Sequence, residues 1–252
     1  MKERMSVFML MARCSFYKIL GLLAVMATVE TGLFFMALNC EVNKEGFGLE
    51  YVIQKSHIAI VFFLAFVILD IILISFVGYG KSGTHRYTLM RLLVTRKEVY
   101  FIQSIFNVLC YILFWVTQIL VIVMLCYIYI RNVPEGYVTG QTIFLAFYRN
   151  DFLHSLLPFE DFPFWIRQIL ICVALGFRSS MYLTEETKPK RGYGVAWGGL
   201  YVLFIASLGD YMSCIFLGIY AIGCIMIEIH NMNKNGNEKY EEEGLVQNGE
   251  KG

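Results

Sequence analysis

"HIAIVFFLAFVILDIILISFVGYGKSG", residues 57–83, can be read in two ways that exclude each other. From His57 to Val77 the run is apolar except for Asp70 and Ser75, and 21 residues of helix are long enough to cross a bilayer. Its end, Gly80-Lys81-Ser82, matches the close of a phosphate-binding loop. That loop needs a glycine five positions before Gly80 to make the sharp turn that lets backbone N–H groups cradle phosphate, and Ser75 stands there instead. It must also follow a strand, whereas here it follows an apolar helix. A nucleotide site is therefore excluded, and Gly78, Gly80 and Gly83 end the helix and turn the chain.

The rest of the chain agrees with a membrane span at 57–77. Of its 252 residues 58% are hydrophobic and 16% are charged. A soluble domain carries about a quarter charged residues, so this chain is too apolar for water to cover. The expected fold is all-α and polytopic, with spans at 17–38, 57–77, 99–128, 162–177, 192–208 and 211–229. The last two are joined only by Gly209-Asp210, a tight hairpin. The third is overlong for a bilayer and must tilt or protrude. The polar, glycine-rich stretch 230–252 reads as a disordered tail.

Cationic residues set the orientation. With both termini inside, the cytoplasmic pieces hold Lys2, Arg4, Arg13 and Lys18; Lys81, Arg86, Arg91, Arg96 and Lys97; Arg178, Lys188, Lys190 and Arg191; and Lys234, Lys239 and Lys251. That is sixteen of the 21 Lys and Arg residues. The outer side keeps Lys44, Lys55, Arg131, Arg149 and Arg167. Residues 141–158, with Arg149, Asn150 and Asp151 at their centre, are costly to place in hydrocarbon. Phe144, Phe147, Phe152 and Leu156 fall near one helical face, so this stretch reads as an interfacial or partly re-entrant outer helix. The seven cysteines show no metal or disulfide spacing; Cys110, Cys126, Cys172 and Cys224 read as small buried apolar residues. A net charge of +1 excludes a strongly basic nucleic-acid binder.

Thr95-Arg96-Lys97-Glu98 is a capping box, with Val94 and Val99 as its hydrophobic staple, so the third span should start at about Arg96. Tyr87–Val94 then becomes a separate short cytoplasmic helix, with Leu89, Leu92 and Leu93 on one side and Met90 and Arg91 between them. Its apolar side chains need cover. Either they lie on the lipid headgroups, arginines toward anionic lipid, or they dock in a groove of a cytoplasmic partner, which the capped break between two helices favours.

At these residues the chain resembles the permease subunit of ATP-binding-cassette exporters of the ABC-2 class. Met1–Phe16, with Phe8, Met9, Leu10 and Met11 among Lys2, Arg4 and Arg13, is similar to the amphipathic inner-surface segment of those permeases. "YTLMRLLVTRKEVY", residues 87–100, is similar to the coupling helix that fits a cleft in their separate ATPase. The resemblance implies six spans in a bacterial cytoplasmic membrane and a subunit that is not itself an enzyme. It implies ATPase coupling through Tyr87, Leu89, Met90, Arg91, Leu92, Leu93, Thr95, Arg96, Lys97 and Glu98. No cofactor would be bound directly, ATP-Mg being used by the partner. The partners would be that ATPase, a second permease (a homodimer or a sister chain) and membrane lipid. Gly194 and Gly198 in span five would permit close helix approach. The chain departs from many members in placing its bulky outer segment between spans three and four. In this it looks like small permeases of Gram-positive bacteria, some of which remove antimicrobial peptides; such a peptide or a lipid-like molecule is the implied substrate.

Polar residues inside spans are functional candidates by default. Glu30 and Asp70 fall at similar depth in antiparallel spans, with no Lys or Arg in any span core. Two such carboxyls favour protonated forms or a shared proton. They could line a substrate path with Asn107 and Gln118, serve a proton- or cation-coupled secondary transporter, or be neutral acids bonded to Gln118, Asn107 or a backbone carbonyl between helices. An intramembrane aspartyl protease does not fit, because Asp210 lies in an outer turn and Asp70 mid-span.

Overall fold

The computed structural model describes residues 2–41, 48–78, 96–133, 141–157, 162–180, 214–227 and 229–230. All regular structure among them is helical: α1 (Lys2–Glu41), α2 (Leu49–Lys55), α3 (Ile58–Gly78), α4 (Arg96–Asn132), α5 (Thr142–Arg149), α6 (Asp151–Leu156), α7 (Phe162–Ser180) and α8 (Cys214–Ile227). The coupling stretch 87–95, the fifth span with Gly194 and Gly198, and the tail beyond His230 lie outside the described residues, as do the side chains of Arg96 and Lys97.

Among the described residues two apolar helical stretches, Ser15–Cys40 and Glu98–Asn132, are long enough to cross a membrane, and a third counts if α2 and α3 together form one bent span. α1 runs unbroken through both the expected surface segment and the first span. At 1.5 Å per residue its 40 residues extend about 60 Å, twice a hydrocarbon core. Within the described residues α4 runs from Arg96, the cap residue Thr95 lying outside them, and its 37 residues also exceed a bilayer.

α4 is patterned inside out. From Phe101 to Ile130 every exposed residue is apolar: Phe101, Ile105, Leu109, Leu113, Val116, Leu120, Val123, Met124, Tyr127 and Ile130. Its buried side holds Gln103, Ser104, Asn107 and Gln118. A water-exposed helix carries the opposite pattern, and a helix in lipid is expected to turn its few polar groups inward. α3 has the same outer face, with Ile60, Phe63, Leu64, Val67, Ile68 and Ile71 exposed.

Contacts gather the chain into two compact units: Met1–Arg13, Leu73–Leu109 and Ile166–Gly252 in one, Cys14–Ile72 and Cys110–Trp165 in the other. In the second unit one apolar core joins Phe34 and Leu38 of α1, Leu49 and Val52 of α2, Ile58 of α3, Ile122, Leu125 and Tyr129 of α4, and Phe147, Leu153 and Leu156 from α5 and α6. Phe62 stacks on Phe114 at 5.0 Å between ring centroids. The α2–α3 bend of 50° falls at His57, whose φ of 54° ends one helix and starts the next.

The outer segment is two helices, not one. Asn150 has an extended backbone, and its side-chain oxygen accepts from the N–H groups of Phe152 and Leu153, an N-cap that restarts the chain as α6. The break resets the helical register. Ala146, Phe147, Leu153 and Leu156 are buried, while Phe144, expected to share a face with Phe147 and Leu156, is 56% exposed. Arg149 reaches Glu50 at 3.2 Å, Asn150 donates to the Glu50 carbonyl, and Trp115 Nε1 donates to the Leu156 carbonyl. The costly polar centre of this segment is thus a hinge pinned to α2.

In the first unit α4, α7 and α8 meet around Tyr100, Phe177, Tyr220 and Cys224. Cys110, Cys126, Cys172 and Cys224 are buried among apolar side chains.

Candidate functional site

α4 supplies a partner to both intramembrane-type acids and to the serines of α7. Ser104, Asn107, Tyr111 and Gln118 are spaced by three, four and seven residues, so they fall on one face of the helix.

In the second unit this face meets the two acids. Gln118 Nε2 donates to Glu30 Oε2 at 3.0 Å, and both residues are 0% exposed. Tyr111 donates its hydroxyl to Asp70 Oδ1 at 2.6 Å, while the Tyr111 ring packs against Phe66. The acids are therefore bonded to separate α4 side chains, and no direct bond joins them among the described residues. Seven residues of helix place those two partners about 10.5 Å apart along α4. Gln118 was identifiable from sequence as a partner for an acid. Tyr111 was not, because a tyrosine in an apolar run reads as core, and only the crossing of α3 with α4 brings its hydroxyl to Asp70.

In the first unit Asn107 serves a different cluster. Gln103 Nε2 donates to Asn107 Oδ1 at 3.0 Å, Asn107 Nδ2 donates to Ser179 Oγ at 2.7 Å, and the Ser179 hydroxyl donates to the Gly176 carbonyl at 3.1 Å. Ser104 and Ser180 meet Oγ to Oγ at 2.7 Å, and Ser180 also returns to the Gly176 carbonyl at 2.6 Å. Gly176 and Ser180 form a small-x-x-x-small pair that lets α7 approach α4 closely. Sequence reasoning missed Gln103, Ser104, Gly176, Ser179 and Ser180. Their signal was the pattern Gly-x-x-Ser-Ser opposite Gln-Ser-x-x-Asn, which acquires meaning only when the two helices are known to touch.

No group of three or more His, Cys, Asp or Glu side chains among the described residues is placed to hold a metal ion. The chemistry on offer among the described residues is hydrogen bonding between apolar helices, with no nucleophile–base pair. Replacing Tyr111 by phenylalanine removes the donor to Asp70 while keeping the ring. The expected result is a loss of about 1–2 kcal/mol of stability, read as a lower melting temperature of the purified chain in detergent. An unchanged melting temperature would make that bond energetically idle.

No family model, curated protein or solved structure matches the chain.

Proposed function

We propose that this chain is the membrane-spanning permease subunit of an ATP-binding-cassette exporter of the ABC-2 class. It crosses a bacterial cytoplasmic membrane six times with both ends inside, pairs with a second permease, and is driven by a separate ATPase that binds and hydrolyses ATP-Mg. The observation that carries this reading is the junction at Arg96. A basic, leucine-bearing stretch, 87–95, leads directly into the start of a 37-residue helix. Force received on that stretch reaches α4 at its first turn and travels down a helix lined with buried polar groups. The lipid-type outer faces of α3 and α4 and the cationic residues of 78–98 agree with this placement. Two acids bonded separately to α4 fit a polar path between helices better than a paired coupling site of a proton- or cation-driven transporter.

The test uses Leu92→Asp. Affinity-tagged chain expressed in its native host should co-purify with an ATP-hydrolysing subunit, and the aspartate should abolish both that recovery and transport-coupled ATP hydrolysis. Purified chain that recovers no ATPase, or L92D that recovers it undiminished, would overturn the proposal.

A further inference from the structure

We infer that Glu30 and Gln118 together form a binding site for one proton, with Glu30 held as a neutral carboxylic acid in a cyclic pair with the Gln118 amide. The observation is a matched deficit. Gln118 Nε2 already donates to Glu30 Oε2 at 3.0 Å. The two remaining oxygens of the pair, Glu30 Oε1 and Gln118 Oε1, are both buried and both without a hydrogen-bond partner among the described residues. An ionised carboxylate and an amide carbonyl are both acceptors, so neither can satisfy the other. One proton on Glu30 Oε1 supplies the missing donor. It makes a second bond possible, O–H to the Gln118 carbonyl, antiparallel to the first.

Charge leads to the same answer. Glu30 is the only charged residue of α1 between Lys18 and Glu41. α4 has none between Glu98 and Arg131, and α3 carries Asp70 alone. An anion at Glu30 would have no counter-cation on any of these three helices except at their ends. A buried charge left uncompensated costs several kcal/mol. A buried polar pair with each oxygen bonded once avoids that cost. This inference is independent of the exporter reading, since it concerns only how α1 is joined to α4.

The experiment uses full-length chain in lipid nanodiscs near neutral pH, with and without carbon-13 glutamate. Infrared spectroscopy should show the C=O stretch of a protonated carboxylic acid that shifts on glutamate labelling and disappears in Glu30→Gln. The E30Q chain should melt at the parent temperature, because glutamine can make the same cyclic pair with the Gln118 amide. Gln118→Leu, which strips the acid of the partner it has among the described residues, should lower the melting temperature. A glutamate signal of carboxylate type only would overturn the inference. So would a melting temperature that depends on sodium or potassium in the buffer, since that points to a bound metal cation in the proton's place.

Discussion

Replacing Gly176 by alanine is expected to destabilise the chain by about 1–3 kcal/mol, the range for forcing atoms into a filled interior. A Cβ added there would lie 2.3 Å from Val108 Cγ2 and 2.8 Å from the Val108 backbone nitrogen. The methyl could rotate away, but the backbone of α4 could not. Relief would require α7 to back off, which would stretch the Asn107–Ser179 and Ser104–Ser180 bonds at the same time. Valine should be worse. The measurement is thermal unfolding of purified protein followed by tryptophan fluorescence. Gly21→Ala and Gly32→Ala supply the control, because nothing lies within 4 Å of a Cβ at either position. In those mid-helix sites alanine should stabilise by about 0.5–1 kcal/mol, from backbone entropy alone. Opposite signs at Gly176 and at Gly21 or Gly32 are the expected outcome; a neutral G176A would mean that α4 and α7 are not in tight contact.

The second large effect belongs to Asn107→Leu. Asn107 is the middle of a chain of donors, accepting from Gln103 and donating to Ser179. Leucine fills similar space but leaves the Gln103 amide and the Ser179 hydroxyl each short of a bond. Gln103 Oε1 is already unpartnered among the described residues, so its side chain would lose the one bond given to its amide. The expected cost is about 1–2 kcal/mol, near the upper end for interhelical hydrogen bonds in membranes. Ser179→Ala alone should cost less, since Asn107 keeps Gln103. In the double variant the two losses should not add, because both remove the same bond. Full additivity would show that Asn107 and Ser179 act separately.

The stretch at 57–83 and the 58% hydrophobic composition were enough to give helical structure throughout the described residues, with helices long and apolar enough to cross a membrane. Hydrophobic runs are local signals, and they located the start of α3 almost to the residue. The outer segment was half legible. Its apolar spacing marked helix, but the Asn150 cap competes with helix continuation, and one amide side chain bonding two backbone N–H groups restarts the chain as a second helix. For the candidate site, the sequence named Glu30, Asp70, Asn107 and Gln118 as residues that hydrocarbon would not tolerate unpaired. It could not divide them among partners.

That division belonged to the tertiary structure. Depth along a span is a one-dimensional quantity that can be counted from residue numbers, and on that count Glu30 and Asp70 look like a pair. Hydrogen bonding depends instead on which helix faces cross and at what distance. Here α4 passes both acids and binds them two turns apart, through Gln118 and Tyr111. The same helix uses Asn107 to join α7, where one missing side chain at Gly176 permits the contact. Composition and periodicity dictated apolar helices long enough to cross a membrane; the packing of α4 against its neighbours determined which polar groups meet within each unit.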